Sequence, residues 1–297
     1  MGASFEHLSE LALSQLSLSD SARIESIFRE RFIYHERVMA IIEHCEHLMQ
    51  KPRGTRPVGL LVAGPNGSGK TALAEALIRR NAAANATRER AATQPVLCIS
   101  MSNAREAKEI FTRFLLALGC SGIGSMTISQ RRATALALAM AADLRLVILD
   151  EIQDVLLATS RQQELTLLAV KDIMNSLKVP LLALGTEQAR TALEADQHLK
   201  GRFKPRELST WQCDEYLSHF LQAYEETLPL KRPSRLSGHL MMKLIIKETQ
   251  GQLTDIVDRI QYAAALAIEG GEEQITGDLI IRARFEIPKT DLSRRNA

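Results

Sequence analysis

The sequence predicts an α/β fold with a parallel sheet, followed by a separate bundle of helices. Three observations predict it. Short apolar runs alternate with amphipathic helical segments through the middle of the chain, as in a parallel sheet covered on both faces. A glycine-rich loop stands between the first apolar run and the helix after it, and strand-like runs end near Trp211.

Composition limits the possible classes of function. The chain has 297 residues, of which 45% are hydrophobic, enough for one large or two modest domains. A net charge of +2 means that any nucleic-acid binding would depend on local patches. Aromatic residues make up only 4%, which argues against stacking of single-stranded bases.

The sequence lacks the signals for export or membrane insertion, which predicts a cytoplasmic location. No apolar run approaches the roughly 18 residues of a membrane span, and the first residues lack the basic start and apolar stretch of a secretory signal. The four cysteines form no CxxC pair, which is typical of free thiols in a reducing compartment. We therefore expect a cytoplasmic protein that makes no contact with membranes.

The first third of the chain changes from helical periodicity to strands. Apolar residues at three- and four-residue steps predict a helix over 19–50, and a break containing proline and glycine follows. The run 58–63 predicts a buried strand, 71–80 a helix and 96–100 a second strand. We expect a helical segment over 1–50.

The same alternation continues until about residue 210. Two helices, a third strand, a further helix and a fourth strand are predicted at 107–118, 129–143, 144–150, 161–178 and 180–185.

Three amphipathic helices without intervening strands come last. The predicted organisation is therefore an α/β domain over 51–210, a helical domain over 211–280 and a basic tail over 281–297.

The glycine-rich loop fits the pattern GxxxxGK[ST] without departure. Its residues are Gly64, Pro65, Asn66, Gly67, Ser68, Gly69, Lys70 and Thr71. Glycines let the backbone fold around a phosphate and direct N–H groups inward, and the helix N-terminus adds partial positive charge. This phosphate loop predicts binding of ATP and Mg²⁺, with Lys70 on the β- and γ-phosphates and Thr71 on the metal.

Two acids end the third predicted strand. Asp150 and Glu151 come directly after four apolar residues. Asp150 would orient the Mg²⁺ shell, and Glu151 would polarise the attacking water as general base. The alternative is an acidic strand end without chemistry. The pairing with the phosphate loop favours the catalytic interpretation.

Two further residues are candidates for sensing and completing the site. Thr186 follows the fourth strand, where it would hydrogen-bond the γ-phosphate or the water; alternatively it caps the next helix. Arg202 lies in a basic stretch, where it would reach the phosphate of a neighbouring subunit as an arginine finger. A solvated basic loop is the alternative, and Arg190 and Arg206 are rival fingers.

The combined motifs resemble the AAA+ ATPases and, more closely, the TniB/TnsC group of transposition regulators. The resemblance is carried by Ile33-Tyr34, by the box Asp150-Glu151-Ile152-Gln153, by Leu184 to Ala189 and by Asp196 to Phe203. It implies an AAA+ P-loop core with a C-terminal helical lid. It further implies a homo-oligomer, ring or helical filament, that binds double-stranded DNA with ATP, recruits a transposase and works with a target-selector protein. Hydrolysis would disassemble or trim the oligomer.

DNA contacts are implied only through this resemblance. In such an oligomer the loop and helix after the second strand line the inner surface, which here carries Arg105 and Lys108, and Arg131 and Arg132 begin the next helix. Contacts of these residues with phosphates would bind DNA without reading its sequence. Ordinary solvated helix faces are the alternative.

Two other functions stay open. The lid position where AAA+ proteins often carry arginine is Thr254 here, which favours an ATP-switched scaffold with little hydrolysis. A replication initiator or helicase loader is the third possibility. It is less favoured because few residues follow the third lid helix, too few for a winged helix.

Overall fold

The structure is a computed structural model that describes residues 5–29, 31–54, 57–87, 91–286 and 288. The chain divides into two compact units. The helical unit combines Met1–His35 with Thr210–Ala297, and the sheet unit is Glu36–Ser209. Each unit is described by itself.

The elements are numbered along the chain. The strands are β1 Gly59–Ala63, β2 Val96–Ser100, β3 Leu146–Asp150, β4 Leu181–Gly185 and β5 Phe203–Glu207. The helices are α1 Glu10–Gln15, α2 Asp20–Ile27, α3 Glu36–Gln50, α4 Lys70–Arg80, α5 Ala107–Ala117, α6 Ile128–Ala141, α7 Ser160–Leu177, α8 Gln188–Glu194, α9 Glu215–Glu225, α10 His239–Thr249, α11 Leu253–Glu269 and α12 Gly277–Arg282.

Over the residues that the structure describes, the sheet has five parallel strands in the order β2-β3-β4-β1-β5. The predicted α/β fold class is therefore confirmed. Strands β1, β3 and β4 occupy the centre, and their apolar runs are almost wholly buried. Since all strands run the same way, the residues that follow β1, β3 and β4 gather at the carboxyl ends of the strands.

One layer of helices covers the sheet face that carries Leu61, Val147 and Ala183. These residues share a core with Phe114 of α5 and Ile173 of α7. Helix α4 contacts β2 and β4.

Strand β5 was not predicted. In the sequence its residues are only part of a basic stretch, because the segment has no apolar run; in the structure four of its five residues are exposed. The strand pairs with β1 only, as the edge of the sheet. An edge strand tolerates Pro205 because one row of its backbone groups faces away from the sheet.

The predicted helix over 19–50 is two helices. Helix α2 ends at Ile27 and α3 begins at Glu36, and the two helices belong to different units. Aromatic packing within the helical unit holds the chain between them: Phe28 contacts Tyr262 and His35 contacts Trp211, both with ring centroids 5.2 Å apart. Tertiary packing overrides the helical periodicity here, and the expected segment 1–50 is split between the units.

The helical unit is built from α1, α2 and α9–α12. Its core includes Ile27, Leu221, Ile245, Ile260 and Ile280. Among its described residues, the C-terminal part has four helices: the short α12 follows the three that were predicted.

The predicted tail 281–297 begins at the end of α12. Residue 287 and the residues from 289 onward lie outside the described part of the chain. Among the described helices, none combines the length and apolar composition needed to cross a bilayer.

Candidate functional site

The phosphate loop connects the carboxyl end of β1 to the start of α4. Gly67 and Gly69 adopt left-handed φ angles of 72° and 89°, and Gly69 is the N-cap of α4. The first backbone N–H groups of a helix have no partner inside the helix, so those of α4 are available to an anion in the loop.

A third glycine is required by close packing. A Cβ atom at Gly64 would overlap the carbonyl oxygen of Leu208 and would lie 2.8 Å from Ser68 Oγ. Only glycine therefore fits between the loop and the segment that follows β5.

Lys70 is buried, with 5% of its surface exposed. Its Nζ donates to the carbonyl oxygens of Gly64 at 2.9 Å and Pro65 at 2.8 Å. Burial lowers the lysine pKa, and the nearby charges of Glu151 and Asp150 partly oppose this. Within the described part of the chain, Lys70 forms no ion pair with a carboxylate. A buried cation held only by neutral oxygens fits the binding of an anionic phosphate.

Thr71 and Asp150 meet across the mouth of the loop. Thr71 Oγ1 donates to Asp150 Oδ2 at 3.2 Å, and Asp150 Oδ1 accepts from the backbone N–H of Glu151 at 3.0 Å. Burial, together with the charge of Glu151, raises the pKa of Asp150 despite these hydrogen bonds. A hydroxyl and a carboxylate are the oxygen donors that Mg²⁺ prefers, so the residues present fit Mg²⁺ with a nucleotide phosphate.

Glu151 is joined to the end of β4 through Gln153. Glu151 has a left-handed φ of 58°, and its carboxylate accepts a hydrogen bond from Gln153 Nε2. Gln153 Oε1 in turn accepts from the backbone N–H of Thr186 at 3.1 Å. A Cβ at Gly185 would overlap this same oxygen, so glycine leaves room for the link.

Sequence reasoning missed the role of Gln153. The only signal was its position two residues after Glu151 in the quoted box. Thr186 lies where predicted, at the end of β4. The alternative that Thr186 caps the next helix finds no support, because α8 has Glu187 as N-cap and no side-chain capping hydrogen bond.

Arg202 lies at the amino ends of the strands, whereas the phosphate loop lies at their carboxyl ends. It immediately precedes β5, whereas Thr71, Asp150 and Thr186 lie at the carboxyl ends of strands. Its Nη1 donates to Asn175 Oδ1 of α7 at 2.8 Å. Its Nε is buried without a hydrogen-bond partner among the described residues. Because five strand residues extend about 16 Å, Arg202 lies about that far from the end of the sheet that carries the loop of its own chain.

The rival arginines are placed differently. Arg190 pairs with Glu194 at 2.9 Å on the surface of α8. Arg206 is exposed on β5, and its Nη1 donates to the Pro205 carbonyl at 3.0 Å. Neither guanidinium shares the half-buried position of Arg202.

The four candidate DNA residues differ in accessibility. Arg105 and Lys108 are exposed after β2. Arg131, in contrast, is only 6% exposed and donates to the Met126 carbonyl at 3.0 Å and to Thr112 Oγ1. The expectation that Arg131 contacts DNA is therefore corrected, because its guanidinium is used to hold the loop before α6.

Arg132 is exposed in part but already paired. Its guanidinium donates to both carboxylate oxygens of Asp172 at 2.6 and 2.7 Å. The hydrogen bonds and charge of this pair raise the pKa of Arg132 and, against the effect of burial, lower that of Asp172. A contact with DNA would have to compete with this ion pair.

The fold and the loop together define an AAA+ P-loop NTPase core. The chain also matches a family model, that of the bacterial TniB protein, over residues 23–213. The chain belongs to this TniB family. The predicted family resemblance is thereby confirmed.

Solved structures that are similar to this chain include ORC and Cdc6 proteins. The ADP form of ORC2 from Aeropyrum pernix matches with a TM-score of 0.63 and 16% identity, over 89% of this chain and 72% of that chain. Cdc6p from Pyrobaculum aerophilum matches with a TM-score of 0.63 and 13% identity, over 89% and 71%. ORC1 from Aeropyrum pernix, solved in complex with DNA, matches with a TM-score of 0.62 and 17% identity, over 88% and 68%.

At such identities the likeness shows the fold alone. No curated protein is significantly similar to the chain in sequence.

Proposed function

We propose that this chain is an ATP-dependent regulator of DNA transposition that assembles as a homo-oligomer on double-stranded DNA. In this function it recruits a transposase and acts with a target-selector protein. Membership of the TniB family supports the biological role. The observation that carries the biochemistry is Lys70, a buried cation held by loop carbonyls beside the Thr71–Asp150 pair.

The loop residues bind and orient the nucleotide. Lys70 exchanges its carbonyl partners for phosphate oxygens, and the N–H groups at the start of α4 donate to the same anion. Thr71 and Asp150 hold Mg²⁺. When bound, Mg²⁺ neutralises charge on the phosphates.

Glu151 and Thr186 act on the attacking water. Glu151 accepts its proton, and Gln153 fixes the carboxylate relative to the backbone of Thr186. Thr186 hydrogen-bonds the γ-phosphate or the water from the end of β4.

Arg202 completes the site of a neighbouring copy. Arg202 precedes β5 and lies at the amino ends of the strands, whereas its own phosphate loop lies at their carboxyl ends. Its contribution to hydrolysis therefore has to be made in trans. Arg105 and Lys108, which are exposed after β2, contact DNA phosphates in the oligomer.

The test is phosphate release by the purified chain with and without duplex DNA. We expect release that DNA stimulates, a loss of at least about 100-fold in Glu151→Gln, and loss of both turnover and ATP-dependent assembly in Arg202→Ala. Arg190→Ala is the control, because its guanidinium is paired with Glu194 on the surface. Wild-type release no greater than that of Glu151→Gln would contradict the ATPase assignment.

A second candidate is a scaffold that binds ATP and DNA but hydrolyses little. Two observations favour it. The Glu151 carboxylate is already hydrogen-bonded by Gln153, and Thr254 stands where a lid arginine is usual. The nearby Arg259 donates to the Ile280 carbonyl at 3.1 Å and lies 3.6 Å from Glu248, so its guanidinium is engaged inside the helical unit. Assembly without release would support this candidate.

A further inference from the structure

Helix α3 carries a row of cationic or protonatable side chains along one face. Positions 37, 40, 44, 47 and 51 recur at three- and four-residue steps, which places them on one stripe. The stripe holds Arg37, His44, His47 and, just beyond the helix end, Lys51. The buried stripe lies on the opposite side and includes Val38, Cys45 and Met49.

Two more cations face the same side from strand β5. Lys204 and Arg206 pair in register with Leu60 and Val62 of β1 and are exposed. Arg37 Nη1 lies 3.5 Å from Ser209 Oγ, which connects the start of α3 to the segment after β5. The six residues Arg37, His44, His47, Lys51, Lys204 and Arg206 are named the α3–β5 face.

Positive charge is concentrated on this face. Burial and the charges of Arg206, Lys204, His47 and Lys51 together lower the pKa of His44. Among the described residues, no carboxylate forms an ion pair with Lys51, Lys204 or Arg206.

Two nearby acids are directed elsewhere, whereas Glu36 and Glu43 of α3 are exposed beside the stripe. Glu46 pairs with Arg80 at 2.8 Å, and Glu207 lies on the other side of β5, where its charge acts on Arg190.

We infer that the α3–β5 face binds the phosphate backbone of duplex nucleic acid. The stripe from residue 37 to 51 extends about 21 Å along the helix, and Lys204 and Arg206 are about 7 Å apart along the strand. A duplex presents one negative charge per roughly 1.7 Å of its axis, so several cations meet phosphates at once. The stripe exposes no large apolar side chain of the kind that anchors protein interfaces, which favours a nucleic acid over an acidic protein.

This face differs from the DNA contacts of the proposed function. Arg105 and Lys108 follow β2, and β2 and β5 are the two opposite edges of the sheet. Because all six residues of the α3–β5 face belong to one sheet unit and none lies in the phosphate loop, we expect binding there to require neither ATP nor assembly. It gives one subunit a second contact with nucleic acid.

The test measures anisotropy of a labelled duplex without nucleotide, in the Lys70→Ala background, so that failure of the ATP-dependent function does not affect the result. We expect Lys204→Glu with Arg206→Glu to weaken binding at least about tenfold and to reduce the slope of log affinity against log salt by about two. Lys243→Glu with Lys247→Glu on α10 is the matched control. It changes the net charge equally at two exposed positions and should weaken binding less than about twofold.

A second variant guards against misfolding of β5. Lys51→Glu lies outside the strand and should also weaken binding severalfold. Equal losses in the β5 and α10 variants, or unchanged affinity in both the β5 and Lys51 variants, would overturn the inference. Competition by polyglutamate as effective as that by unlabelled duplex would overturn it in favour of an acidic protein partner.

A pH series adds an independent readout. Phosphate contact favours the charged form of His44, which burial and the charges of Arg206, Lys204, His47 and Lys51 disfavour in the free protein. Affinity should therefore rise as pH falls from about 8 to about 6, and His44→Gln should lose most of this rise. An identical rise in this variant would contradict a contact of His44 with phosphate.

Discussion

Two buried cations, one in each unit, differ in their hydrogen-bond partners: one is paired with carboxylates and the other with neutral carbonyl oxygens. Arg23 of α2 is 1% exposed, and its guanidinium donates to Glu273 at 2.8 Å, to Asp20 at 3.0 Å and to the Pro229 carbonyl. Burial disfavours the Glu273 anion, but hydrogen bonds from Arg23 and Lys231 outweigh it and lower the Glu273 pKa to about 2. Lys70 of the sheet unit is also buried, at 5% exposed, but is held by two carbonyl oxygens.

The difference separates a structural charge from a binding charge. Arg23 has its counter-ion within its own unit, so its removal should affect stability. Lys70 is hydrogen-bonded only by neutral groups, with Glu151 and Asp150 acting on it through charge alone, so it keeps the capacity to pair directly with an anion from outside the chain.

The largest effect is expected for Arg23→Ala. It leaves the Glu273 carboxylate buried with Lys231 as its remaining cationic partner, so the free energy of unfolding should fall by about 3–5 kcal/mol. Urea denaturation followed by circular dichroism measures it. Arg29→Ala is the control: Arg29 is exposed and lies 3.9 Å from Glu25, so its loss should cost less than about 0.5 kcal/mol. Similar costs for both variants would remove the distinction drawn for Arg23.

Lys70→Ala, in contrast, should weaken ATP binding strongly and change stability little. ATP affinity should fall at least about 100-fold, equal to about 2.7 kcal/mol, because the main charge partner of the phosphates is lost. The free energy of unfolding should change by less than about 1 kcal/mol. Titration calorimetry measures binding, and urea denaturation measures stability.

Arg79→Ala on the same helix is the matched control for Lys70, because Arg79 is exposed and pairs with Glu75 at 3.7 Å. It should bind ATP normally. If Lys70→Ala kept its affinity for ATP, the phosphate loop would have no binding role.

The smallest effect is expected for Gln153→Ala, which tests a neutral side chain between two site residues. Loss of the link from Glu151 to Thr186 should slow phosphate release about fivefold to tenfold, or roughly 1 kcal/mol, with ATP affinity unchanged. Steady-state phosphate release measures it. Gln163→Ala is the control, since Gln163 donates to the carbonyls of Leu156 and Ala158 in the same region. Faster release in Gln153→Ala would instead support the scaffold function.

Much of the sheet unit was predictable because its signals are local. Continuous apolar runs predict the strands that are buried on both faces, and each of the four predicted strands is present within two residues of its expected start. The phosphate loop is a contiguous motif, so its residues are necessarily adjacent in space.

What was missed depends on distant partners. Strand β5 has no apolar run, and only its pairing with β1 makes it a strand. The end of α2 depends on Phe28 meeting Tyr262, more than 200 residues away in sequence. The burial of Arg131 depends in the same way on Thr112 and on the turn before α6.

The close approach of Gly64 to Leu208 has a mechanical consequence. The backbone of Leu208 is fixed by its N–H, which donates to the Ala63 carbonyl at 2.8 Å, and its own carbonyl oxygen leaves no space for a side chain at Gly64. Leu208 is followed by Ser209, the final residue of the sheet unit. The backbone around Leu208 is therefore the first part of the sheet unit that a displacement of the loop at Gly64 would press against.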